Sequence, residues 1–179
     1  MDDTSFLGSY TVGTDAGMCC LWQPEHFAHV TSYDVWEDAL GNDPAIERSI
    51  EAGAFVPLYL HSDGVYQVTL RTGARTPREK RYTTASSEPY LLVSKGAVAL
   101  SGIEAVGADL DAAETIALAP GRYAVEVHLI DWQAEPGSTD ADGNAVDGAL
   151  PDFVVEISPE PDPAPPYRRT VETFDLPEE

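Results

Sequence analysis

Four histidines, two cysteines and 31 carboxylates are the side chains in this 179-residue sequence that could carry chemistry. In Glu25-His26-Phe-Ala-His29 two imidazoles stand at i and i+3, which on a helix brings both to one side, where they could ligate a metal. Zinc needs a third and usually a fourth ligand. Cys19, Cys20 or His61 would have to be brought near by the fold, and the ordinary reading is a pair of surface histidines. The metalloprotease pattern His-Glu-x-x-His is absent. Asp15 lies in Gly13-Thr-Asp-Ala-Gly17, between two apolar stretches. A carboxylate in such a turn can act as a ligand or a general base, although Asp is also a common turn former in its own right. His61 and Asp63 flank a second turn. Two turns at one end of a sheet would make Asp15, His61 and Asp63 the polar wall of a binding pocket. Asp140-Ala-Asp-Gly-Asn-Ala-Val-Asp147 offers Asp140, Asp142 and Asp147 as calcium ligands. The EF-hand pattern fails there, because its sixth position is Ala145 and its twelfth is Pro151, so the plain alternative is a solvated acidic loop.

Nucleophilic chemistry has little support. Gly-x-Ser-x-Gly is missing, as is a Gly-rich phosphate loop. Cys19 and Cys20 sit in the apolar run Met18-Cys-Cys-Leu-Trp22, where burial raises a thiol pKa and lowers its reactivity. As neighbours on a strand they point to opposite faces, so a mutual disulfide would be strained. No complete catalytic set and no cofactor is implied, and the reading leans away from an enzyme.

The elements that would position these residues are mainly strands. Phe55-Val-Pro-Leu-Tyr-Leu-His-Ser-Asp-Gly-Val-Tyr-Gln-Val-Thr-Leu70 and Thr115-Ile-Ala-Leu-Ala-Pro-Gly-Arg-Tyr-Ala-Val-Glu-Val-His-Leu-Ile130 share one pattern: an apolar strand, a Gly-containing turn, and a strand opening on x-Tyr-x-Val. Asp63-Gly64 and Pro120-Gly121 read as hairpin turns. The pattern suggests an internal duplication of two related halves, about 9–71 and 90–132. Strands are also expected at 10–12 and 18–22, at 90–93 and 97–100 around a tight turn at 94–96, and at 153–157. Residues 1–8 read as a frayed start. Pro24 can open a helical turn over 25–29. A helical insertion is expected near 34–52, with Asp34 capping its first piece and Asp43, followed by Pro44, capping its second. Residues 71–81 hold five of the ten basic residues and read as a loop. The expected fold is mainly β, an antiparallel β-sandwich or open barrel in a single domain over 1–158. A Pro-rich linker and a C-terminal tail or edge strand follow over 159–179.

Acids outnumber Lys plus Arg by 31 to 10, a formal charge of -21. Such a field disfavours nucleic acid and anionic membrane and makes basic proteins natural partners, although the ordinary reading of high acidity is solubility alone. Residues 131–160 hold eight acids and no base. The basic 71–81 stretch could steer an acidic partner or pair with that region in a homodimer, and its ordinary reading is a solvated loop. The mean hydropathy of -0.20 suits a soluble protein. No segment approaches the roughly 18 apolar residues of a membrane span. With no signal-peptide pattern and two reduced thiols, a cytoplasmic location is expected.

Val12-Gly-Thr-Asp-Ala-Gly17 and Val56-Pro-Leu-Tyr-Leu-His-Ser-Asp-Gly-Val-Tyr66, with the Gly121-Arg-Tyr123 turn, resemble uncharacterised bacterial β-rich families, some of them similar to toxin-immunity proteins. The resemblance implies a cytoplasmic β-protein and carries over no catalytic residue. The function expected is a non-enzymatic protein-binding domain of immunity or inhibitor type. The competing expectations are a metal-dependent enzyme or metal-binding module, and a domain stabilised by calcium in the 140–147 loop.

Overall fold

The computed structural model describes residues 5–60 and 62–172. Its strands are β1 (Phe6–Thr14), β2 (Met18–Trp22), β3 (Phe55–Tyr59), β4 (Gly64–Arg71), β5 (Thr83–Ser86), β6 (Tyr90–Gly102), β7 (Glu114–Ile130) and β8 (Phe153–Pro159). They form one eight-stranded sheet in the order β1-β4-β8-β7-β6-β2-β3, with β5 also paired to β7. Every pairing is antiparallel except β4 with β8, which is parallel. The end strands β1 and β3 do not pair, so the sheet stays open. It curls enough for β1 to pack against β6 and β2. The core fills the curl with Trp22, Phe27, Phe55, Leu70, Tyr90, Val127 and Phe153. The mainly β expectation holds, as does burial of 18–22: all five residues of β2 are buried between β3 and β6.

Three local expectations need correction. The first concerns the hairpins. β3 pairs with β2, and β4 pairs with β1 and β8, so 55–70 is not a hairpin. Pro120-Gly121 likewise lies inside the 17-residue β7. Between the pairs Ser94↔Gly121 and Gly96↔Leu118, β7 spends one residue more than β6, which is a bulge and not a chain reversal. Ser94 Oγ donates to the Leu118 carbonyl at 2.7 Å and accepts the Gly96 N–H at 3.1 Å, which carries β6 straight through its supposed turn. What the two stretches share is local. Gly64 (φ +154°) and Gly121 (φ +156°) each lie beneath a tyrosine two positions on. Tyr66 Oη donates to the Ser62 carbonyl at 2.6 Å, and Tyr123 Oη to the Ala119 carbonyl at 2.7 Å. Turn-type residues alone cannot tell a bulge from a reversal, because both demand unusual φ.

The second concerns the helix starts. α1 (Tyr33–Leu40) is capped by Ser32, and α2 (Asp43–Glu51) by Asn42, whose Oδ1 accepts the Ala45 N–H at 3.0 Å. Asp34 and Asp43 fall inside the first turns, where a negative charge favours the helix dipole. The third concerns the chain outside the strands. Residues 77–81 form the short helix α3 (Pro77–Arg81), closed by a Thr76/Glu79 capping box. β1 begins at Phe6, inside the expected frayed start. No strand forms over 167–172, and 173–179 lie outside the described residues. Residues 167–172 dock on the domain. Tyr90 Oη donates to the Thr170 carbonyl and accepts the Glu172 N–H, and Val171 packs against the core. No helix among the described residues is long and apolar enough to cross a membrane.

Candidate functional site

The β1–β4 register ends at Thr14↔Gly64, which puts Asp15 and Asp63 just beyond the same end of the pair. Both are exposed. The turn at Asp15 is held through its backbone: Asp15 N–H donates to Glu104 Oε1 and Thr14 Oγ1 to Glu104 Oε2, each at 2.9 Å. His61, the third residue proposed for this wall, lies outside the described residues. His26 and His29 are exposed near the turn Pro24–Phe27 and share a shallow hollow with Asp38 and Arg48. Burial, and then the neighbouring His29, lower the His26 pKa. Asp140 spends one carboxylate oxygen on its own loop, accepting the Asp142 and Asn144 N–H groups at 2.9 and 3.0 Å. Asp142 and Asp147 are exposed.

A wide concavity lies elsewhere, between the start of α1 and residues 104–112, with a volume of about 740 Å³. Its apolar surfaces come from Val30, Tyr33, Trp36 and Val106. Trp36 is fixed by its Nε1–H, which donates to the Ile103 carbonyl at 3.0 Å. Tyr33 stacks on Trp36 with ring centroids 5.9 Å apart and 16° between planes, yet is 71% exposed. The opposite wall is strapped on by Ala108 N–H, which donates to the Val30 carbonyl at 2.9 Å. Glu104 and Asp109 supply charge at the lining. Residues 30–47 and 104–114 hold nine acids (Asp34, Glu37, Asp38, Asp43, Glu47, Glu104, Asp109, Asp111 and Glu114) and no Lys or Arg.

Elsewhere the basic residues are largely spent within the chain. Arg75 Nε meets Glu156 Oε1 at 2.6 Å, and Arg78 Nε meets Glu135 Oε2 at 2.6 Å. The basic 71–81 stretch therefore pairs through Arg75 and Arg78 with the acidic 131–160 region of the same chain. Arg71 and Glu79, 6% and 3% exposed, form a buried two-pronged pair at 2.7 and 3.1 Å. Arg122–Glu160, Arg168–Glu172 and Arg169–Glu51 bring the paired cations to six of ten.

A second cluster is built by strand register on β5, β7 and β8. Ser86 lies opposite His128, and Glu126 lies opposite Glu156. Glu126 and His128, two apart on β7, share a face. Ser86 Oγ is 2.6 Å from His128 Nδ1, and His128 Nε2 is 3.0 Å from Glu156 Oε1. Burial alone would raise the Glu156 carboxyl. His128, and after it Arg75, outweigh that effect and hold it below the usual range. Ser, His and Glu are the residue types of a nucleophilic relay, but the neighbouring Ser87 N–H is already committed to the Val127 carbonyl and is not offered to an oxyanion.

Sequence reasoning missed both places. In Val125-Glu-Val-His-Leu129 two polar residues alternate with buried apolar ones, a period-two signal that could have marked Glu126 and His128. Trp36 read only as part of the helical insertion near 34–52, and Tyr33, just before it, drew no reading; the exposure of Tyr33 follows from packing.

No family model matches this sequence, and no curated protein is similar to it in sequence. Two solved structures share its fold. One, described as crocagin biosynthetic gene J, has a TM-score of 0.53 at 15% identity, over 88% of this chain and 97% of its own. The other is ComJ from Bacillus subtilis, an inhibitor of the DNA-degrading activity of NucA. It has a TM-score of 0.50 at 8% identity, over 86% of this chain and 96% of its own.

Proposed function

We propose that this chain is a non-enzymatic protein-binding domain of inhibitor type. It engages a basic partner through the acidic, aromatic groove at Tyr33 and Trp36. The observation that carries the reading is that groove: an exposed tyrosine stacked on an anchored tryptophan, in segments with nine acids and no Lys or Arg. Stacked aromatics in a concave site are the residue types that concentrate binding energy, and a surrounding acidic field speeds encounter with a basic surface. The fold shared with ComJ, an inhibitor of a DNA-degrading enzyme, supports the inhibitor reading and suggests the partner class. An enzyme that holds DNA must present cations to phosphate, and an acidic face would cover them.

A random peptide library displayed on phage and selected against the full chain at low salt tests the groove without a known partner. Selected peptides should combine Lys or Arg with apolar residues and lose binding in a Tyr33→Ala, Asp109→Lys double variant. Peptides without basic residues, or binders indifferent to that variant, would sink the reading.

A further inference from the structure

We infer that Glu126, His128 and Glu156 form a binding site for a divalent transition-metal ion of the zinc class. The three side chains offer one nitrogen and two carboxylate oxygens, all within 4.8 Å of one another. His128 Nε2 is 3.0 Å from Glu156 Oε1 and 3.8 Å from Glu126 Oε2. An ion bound at about 2.0–2.2 Å holds its ligand atoms roughly 3.0–3.5 Å apart, so small rotations of the two glutamates suffice.

The independent sign of a cation site is His128 itself. Its side chain is 2% exposed, and its Nε2 makes no hydrogen bond although two carboxylates face it. In the tautomer that donates Nδ1–H to Ser86 Oγ, Nε2 turns a lone pair toward those carboxylate oxygens, an arrangement that costs free energy when buried. A cation at their meeting point satisfies all three groups. Ser86 then serves as the outer partner that fixes the tautomer and orients the ring. Arg75, held by Thr83 Oγ1 at 2.9 Å, also contacts Glu156 Oε1, so the two glutamates and one guanidinium leave a net charge of about -1 to meet the ion. That balance predicts a site weaker than a structural zinc centre.

The test is calorimetric titration of the chelator-stripped full chain with zinc chloride, and a parallel titration with cobalt(II) chloride read by visible absorption. The expected result is one ion per chain with cobalt bands of a nitrogen–oxygen site. Affinity should fall at least about tenfold in Glu126→Gln. That side chain is 47% exposed, so the fold should survive, as thermal unfolding would verify. His128→Gln should abolish binding, and if it does not fold, Glu126→Gln decides alone. A His26→Ala, His29→Ala variant should bind as the parent does. Absence of both heat and cobalt bands would overturn the site. Binding that survives Glu126→Gln and disappears with the His26 and His29 changes would overturn it equally.

Discussion

Arg75 donates its Nε–H to Glu156 Oε1 over 2.6 Å, joining positions 81 apart in sequence. This contact, with Arg78 on Glu135, folds the most basic stretch of the chain onto its base-free acidic segment. The segments that form the groove beside α1 hold nine acids and no Lys or Arg.

Groove energetics follow from that distribution. If a basic DNA-cleaving enzyme is the target, the chain should suppress its activity in a fluorescent DNA-cleavage assay, and inhibition should weaken as salt is added. Tyr33→Ala should cost about 2 kcal/mol of binding, as for a stacked hot-spot aromatic, and leave thermal stability unchanged because the ring is 71% exposed.

The Arg71–Glu79 pair should govern stability. Glu79 both closes the α3 capping box and neutralises a buried guanidinium. Glu79→Ala would strand that charge and should cost roughly 3–5 kcal/mol in urea unfolding. Replacing Arg71 and Glu79 together by apolar residues should cost much less, and a double-mutant cycle would measure the difference.

Acid should weaken the fold through Glu156. Its carboxyl is held below the ordinary value of 4.5 in the folded state. In the window between the folded and unfolded pKa values the unfolded chain binds more protons, so this contribution is complete above 4.5 and is lost as pH falls through the folded value. Urea midpoints followed from neutral pH to below that value should drop, and Glu156→Gln should flatten the slope.

The two thiols should be inert until the chain opens. Burial, then the charges of Glu104 and Asp152, push the Cys19 thiol up to about 12, and burial raises Cys20 as well. Colour development with an aromatic disulfide reagent should be slow for native protein and prompt in denaturant. Rapid labelling of native protein would contradict the burial of β2.

Much of this protein was legible in its residues. The strand-rich class, the helical pieces over 33–51, the buried run at 18–22 and its two buried cysteines all follow from local periodicity and composition. The Gly-x-Tyr units were visible too, although their role was misread, since a tyrosine folded over a glycine serves a bulge as readily as a turn. What the residues could not convey was pairing. β4 lies between β1 and β8, and His128 between Ser86 and Glu156, through contacts tens of residues apart. Register is selected by the whole buried face of a curled sheet, which no short window contains. Sequence alone therefore determined a negatively charged β-protein without a complete catalytic motif. The tertiary structure decided where its charges cancel, where an aromatic groove stays open, and which imidazole is buried against two carboxylates.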